Sequence, residues 1–109
     1  MRKEYKEKES TLNKNVVKWL NSIDGCLAKK RHGGAHNRGQ PDVTGCLHGI
    51  RIELEGKIGN NKPTATQASW LKKWSAVNAI TGVYWSLDEA KQIIAQQAIK
   101  HGIQIKLKD

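Results

Sequence analysis

Asp42, Glu55 and Lys57 are the residues whose types and spacing point most directly to chemistry. They frame the stretch Asp42-Val43-Thr44-Gly45-Cys46-Leu47-His48-Gly49-Ile50-Arg51-Ile52-Glu53-Leu54-Glu55-Gly56-Lys57. A residue followed by glycine between alternating apolar positions signals a two-residue hairpin turn, here His48-Gly49. Such a turn pairs Leu47 with Ile50 and, further out, Asp42 with Glu55. Directly opposed residues hold their Cβ atoms about 4.5–5.5 Å apart. Lys57 lies two residues beyond Glu55 and shares its face. Arg51 and Glu53 fall on that same polar face, while Ile50, Ile52 and Leu54 take the other. Facing carboxylates destabilise a sheet, and a cation between them removes the penalty. Oxygen ligands of this kind suit Mg²⁺ or Mn²⁺. Such an ion binds a phosphate oxygen and lowers the pKa of a bound water. Lys57 would hold that water or stabilise charge on the phosphorus oxygens. Together these are the parts needed to hydrolyse a phosphodiester. The plainer alternative is that Asp42 caps a strand and that Glu55 and Lys57 are solvated surface charges.

The charge balance agrees with a phosphate-bearing partner. Lys plus Arg number 19 and Asp plus Glu 10, a net charge of +9 on 109 residues. An excess of that size on one small domain is the electrostatic footprint of nucleic-acid binding. No helix combines a basic face with a strong apolar one, which argues against a membrane surface as partner. No apolar run is long enough to span a bilayer. The charged start, Met1 to Glu9, lacks the apolar core of a signal peptide, so a cytoplasmic location is expected. Cys26 and Cys46 form no close-spaced pair and imply no disulfide framework. A zinc site from Cys26, His32, His36 and Cys46 has irregular spacing, and reduced, buried or half-buried thiols are the expectation.

The elements that must position these groups can be read from periodicity. Leu12, Val16, Trp19, Leu20 and Ile23 recur at helical spacing and predict a helix over residues 4–23. Cys26-Leu27-Ala28 reads as a short strand. From Lys29 to Gln40 come four basic residues, two histidines, three glycines and no acid. This segment is expected to be a positive loop whose Lys29, Lys30, Arg31 and Arg38 track a phosphate backbone. The hairpin follows, then a loop over residues 58–63. Thr64 with Gln67 is a capping box that opens a helix through about Val77, with Leu71, Trp74 and Val77 on one side. Ile80 to Trp85 is a β-branched and aromatic strand. Ser86 with Glu89 opens a last helix carrying Leu87, Ala90, Ile93, Ile94 and Ala98. Ile103 to Leu107 alternates and reads as an edge strand or a tail. Trp19, Trp70 and Trp74 are assigned to core packing.

That order predicts an α/β fold: one domain over residues 1–109, a mixed sheet with a β-hairpin core, flanked by helices. Residues 1–8 and 103–109 are expected to be flexible ends. The strand after the crossover helix should run parallel to the second hairpin strand.

The run Gly39-Gln40-Pro41-Asp42-Val43-Thr44-Gly45, then Glu55-Gly56-Lys57, then Lys62-Pro63-Thr64 and Gln67, resembles the VRR-NUC branch of the PD-(D/E)xK nuclease superfamily, in its small stand-alone phage form. The resemblance covers about Glu9 to Glu89. It implies a restriction-endonuclease-like fold and metal-dependent hydrolysis of DNA phosphodiesters, with Mg²⁺ or Mn²⁺ as cofactor. Asp42 and Glu55, with the backbone carbonyl of Gly56, would bind the metal. Lys57 would be the catalytic lysine, and Gln67 would match the glutamine that follows it. The acidic residue on the first helix would be Glu9, with Glu4 and Glu7 as less fitting stand-ins. Branched or junction DNA as substrate and a homodimeric state are implied in the same way. One departure is that Glu53-Leu54-Glu55 offers a rival register, with Glu53 as ligand and Glu55 in place of the lysine. The alternatives in other classes are a non-catalytic basic DNA-binding protein and an RNA-directed enzyme.

Overall fold

A computed structural model describes residues 3–33 and 37–107, with the side chains of residues 3–7 left out. The elements are α1 (Lys3–Asn21), β1 (Cys26–Lys30), β2 (Val43–Leu47), β3 (Ile50–Gly56), α2 (Ala65–Ala76), β4 (Ile80–Tyr84) and α3 (Leu87–Lys100). The four strands form one mixed sheet in the order β1-β2-β3-β4. β1 pairs antiparallel with β2 and β2 antiparallel with β3, and β4 runs parallel to β3 after the α2 crossover. The result is an α/β domain consistent with a restriction-endonuclease-like fold. Among the described residues no helix is long and apolar enough to cross a membrane.

The hairpin register follows from the turn. His48 and Gly49 both take positive φ, 47° and 86°, which is the conformation a two-residue turn of this hand requires. Leu47 pairs with Ile50 and Val43 with Leu54, where the ladder ends; Asp42 and Glu55 occupy the next positions out. Even-numbered β3 residues then face the core. Ile52 and Leu54 join Val43, Leu47, Ile80 and Tyr84 against Val16 and Leu20 of α1 and Ala90, Ile94 and Ala98 of α3, all fully buried. Each of the larger aliphatic side chains contributes about 1.5–3 kcal/mol by leaving water. The four-residue steps from Val16 to Leu20, and from Ala90 through Ile94 to Ala98, are what put single helix stripes on the sheet.

α2 lies over β3 and β4. It buries none of its residues. Trp70 and Trp74 are therefore not core side chains as the spacing suggested. They are half-buried and lie under cations: Arg51 sits 4.5 Å from the Trp74 ring and Lys73 4.7 Å from the Trp70 ring. Trp74 Nε1 also donates to Gln40 Oε1 at 3.3 Å. Val77 is the C-cap of α2 and is 68% exposed rather than packed. Trp19 does pack against the core.

Two boundaries differ from expectation. β1 extends to Lys30, because Lys29 and Lys30 pair with Thr44 and Val43; these lysines belong to a strand, not a loop. Residues 103–107 form no strand, yet Ile103 and Ile105 pack against the core. Cys46 is exposed, where a buried or half-buried thiol was expected, and Cys26 is half-buried. Burial, with Cys46 as a smaller contributor, pushes the Cys26 thiol up to about 11. His36 lies outside the described residues.

On each outer strand one residue has its edge-facing N–H and C=O matched by a side-chain amide. Ala28 N–H donates to Asn21 Oδ1 at 2.8 Å, and Asn21 Nδ2 donates back to Ala28 O at 3.0 Å. On β4, Thr81 N–H donates to Gln97 Oε1 at 3.1 Å, and Gln97 Nε2 donates to Thr81 O. Each amide presents one acceptor and one donor, as a neighbouring strand would.

Candidate metal centre

The end of the hairpin, where β2 begins and β3 ends, gathers the acidic residues. Asp42 immediately precedes β2, and Glu55 lies near the end of β3. The Asp42 carboxylate is held by the backbone: Gly56 N–H donates to Asp42 Oδ2 at 3.1 Å. Glu9, from the N-terminal half of α1, completes the group. One oxygen from each of Glu9, Asp42 and Glu55 lies within 4.8 Å of the others. Lys57 Nζ is 3.4 Å from Glu55 Oε2. Glu55 and Lys57 are both buried. Glu4 and Glu7 have no described side chains.

The hydrogen-bond inventory singles out two of these groups. Both Glu55 oxygens and Glu9 Oε2 are buried without a hydrogen-bond partner among the described residues; the Lys57 contact is an ion pair only. Buried carboxylate oxygens are otherwise satisfied, and an unmatched one costs several kcal/mol unless it is neutralised or binds a cation. The electrostatics follow. Burial, and then the charge on Asp42, push Glu55 up to about 8 against the pull of Lys57. The same causes in the same order raise Glu9. The Tyr84 hydroxyl is raised as well, by burial first and then by Asp42, Glu55 and Glu9. Among the described residues three carboxylates face one ammonium, so positive charge falls short of negative there. An all-oxygen donor set of this size fits a hard divalent ion such as Mg²⁺ or Mn²⁺.

Glu53 has a different occupation. It is fully buried, and its carboxylate is saturated. Arg31 donates to both oxygens, at 2.5 and 3.2 Å, Thr44 Oγ1 donates at 2.6 Å, and Arg51 Nε at 2.7 Å. It stands outside the three-carboxylate group. Of the two glutamates it is Glu55 that lies with Glu9 and Asp42, and Lys57 that lies beside it.

Other sequence-predicted site residues fall in varied places. Gln67 closes its capping box: Oε1 accepts from Thr64 N–H at 2.9 Å while Gln67 N–H donates to Thr64 Oγ1 at 3.2 Å. Gln67 makes no hydrogen bond to Lys57 among the described residues. Arg31 is engaged with Glu53, and Lys30 Nζ donates to Ser10 Oγ at 2.8 Å. Lys29 and Arg38 are exposed.

Asn13 and Tyr84, beneath Gly56, had no signal in the sequence. Tyr84 Oη donates to Asn13 Oδ1 at 2.5 Å in the buried interior. Gly56 leaves room for that pair, since a methyl there would run into Asn13 Oδ1 and the Tyr84 ring. Gly56→Ala is expected to cost about 1–3 kcal/mol by overpacking. Thermal melting should then fall by roughly 5–15 °C.

No protein-family model matches this chain, and no curated protein matches it either.

Proposed function

We propose that the protein is a metal-dependent endonuclease that hydrolyses DNA phosphodiester bonds at the Glu9–Asp42–Glu55 centre, with Mg²⁺ or Mn²⁺ as its cofactor. The observation that carries this reading is the set of buried, unpartnered carboxylate oxygens on Glu55 and Glu9, next to Asp42 and one lysine. Such a cluster is unfavourable on its own and becomes favourable around a cation. Glu9, Asp42 and Glu55 would hold the ion. When bound, it supplies positive charge to a phosphate oxygen and acidity to a water.

The chain's own residues then have separable tasks. Gly56 N–H fixes the Asp42 carboxylate. Lys57, held on the β3 side of the pocket, donates to the attacking water or to a phosphate oxygen. The water oxygen bonds to phosphorus, the bond to one sugar oxygen breaks, and the products are a phosphate monoester end and a hydroxyl end. A net charge of +9 draws the polyanion in. Branched DNA as the preferred form and a homodimeric state are part of the proposal because the sequence resemblance implies them.

The test is cleavage of branched, flap and linear DNA with Mg²⁺ and with Mn²⁺, by wild type and Asp42→Ala. Wild type should nick only with metal. Asp42→Ala should lose cleavage and keep DNA binding. Metal-independent binding with no cleavage by the wild type would leave only a DNA-binding protein, and equal cutting by Asp42→Ala would refute the assigned centre.

A further inference from the structure

An open groove of about 710 Å³ runs between α1 and the outer strand β1. Its cations come from three elements: Lys14 and Lys18 of α1, Lys29 and the following Arg31, and Arg51 of β3; His32 lines it too. Among the described residues no acidic side chain lines it. Glu53 lies behind it with no exposed surface, bonded to both Arg31 and Arg51. Two guanidinium groups share that single carboxylate, so the pair keeps a net positive charge. Lys30, also in the lining, donates to a neutral partner, Ser10. Lys14, Lys18 and Lys29 are exposed and in no ion pair among the described residues.

The spacing is regular. Lys14 and Lys18 are one helical turn apart, a rise of about 6 Å. Lys29 and Arg31 are two strand residues apart, a rise of about 6.6 Å. One strand of duplex DNA carries a charge about every 3.4 Å of axis, so each row covers roughly two nucleotides. Arg31, in the groove's lining, is also bonded to the main chain that carries Asp42. Arg31 Nη1 donates to Pro41 O at 2.9 Å, and Arg31 N–H donates to Asp42 O at 2.7 Å. One residue of the groove's lining thus anchors the chain at Pro41 and Asp42.

We infer that this groove binds the phosphate backbone of DNA leading away from the scissile bond, with Lys14 and Lys18 as phosphate contacts on the helix side. The inference rests on the nuclease reading for the direction of the strand. The groove itself can be tested without catalysis.

Lys14→Gln/Lys18→Gln changes two exposed helix residues for one of similar helix propensity, so folding is retained. DNA binding is read by fluorescence anisotropy across a salt series, with metal chelated. Each lost phosphate contact lowers the slope of log K against log salt by about 0.9 for duplex and about 0.7 for single strands. The double variant is therefore expected to lose about 1.8 or about 1.4 from the slope. Lys72→Gln/Lys100→Gln removes the same charge from α2 and α3, outside the groove, and should leave the slope unchanged. A wild-type slope in Lys14→Gln/Lys18→Gln overturns the inference. So does an equal loss in the two variants, which would mean that net charge alone is at work. A protein that binds DNA through the groove but never cuts would remove the nuclease reading and leave the groove standing. One that cuts DNA while the groove variant keeps its slope would do the reverse.

Discussion

Lys57→Met is expected to lower metal-dependent DNA cleavage by about 10²–10⁴-fold, the range of a positioned proton-transfer group. Removal of one preorganised donor that stabilises developing charge falls in a similar range, about 10²–10³-fold. Methionine keeps the length of the stem and removes only the ammonium. Lys57 is buried beside Glu55, so solvent is poorly placed to substitute for it. The variant should still bind Mn²⁺, because the three carboxylates remain and a competing positive charge has gone. Isothermal titration with Mn²⁺ and single-turnover cleavage measure the two properties separately. Loss of both together would mean that Lys57 only holds the pocket in shape. Undiminished cleavage would remove it from the mechanism.

Glu55→Gln is expected to abolish cleavage and yet stabilise the metal-free protein at pH 8 and above. The ordinary value for a glutamate is 4.5, and the folded value is about 8. Between those values the folded state keeps a proton that the unfolded state has released. Stability of the metal-free wild type should therefore decline as pH rises from about 4.5 to 8 and stay low above it. Each unit of difference is about 1.4 kcal/mol, so the penalty is on the order of several kcal/mol, a large part of a small domain's total of about 5–15 kcal/mol. Glutamine carries no charge at any pH and removes the penalty. Thermal melts from pH 5 to pH 9 should slope downward for wild type and run flatter for Glu55→Gln. Added Mn²⁺ at pH 8 should raise the wild-type melting temperature and leave the variant nearly unmoved. A variant less stable than wild type at pH 8 would contradict the charge shortage on which the metal centre rests.

The parts of this molecule that are legible in its sequence are those set by local rules. The hairpin register follows from one turn and a period-two alternation, and it brings Asp42 and Glu55 together as the pairing requires. The capping box at Thr64 and the N-cap at Ser86 mark their helix starts within a residue, although Glu89 accepts from Trp85 N–H rather than from Ser86 N–H and so leaves the second box half made. What escaped depends on contacts between distant segments. The burial of Glu53 needs Arg31, twenty-two residues earlier, and Thr44 on the facing strand. A pattern of polar residues on one strand face cannot reveal that these partners will close over it. Trp70 and Trp74 read as core because large aromatics usually are, but α2 meets a face of the sheet that carries charged residues, and the rings serve cations there. Asn13 and Tyr84 are seventy-one residues apart and meet only because α1 crosses the end of β3 and β4.

The amides of Asn21 and Gln97 restrict how copies of this chain can join. A sheet ordinarily grows by recruiting another chain along an outer strand, using the vacant donors and acceptors there. Here Ala28 and Thr81 already have those groups matched from within. Continuous sheets running from one molecule into the next are thereby disfavoured. A pairing of two such molecules built from side-chain surfaces would leave both amide clamps in place and space the two centres by helices and loops.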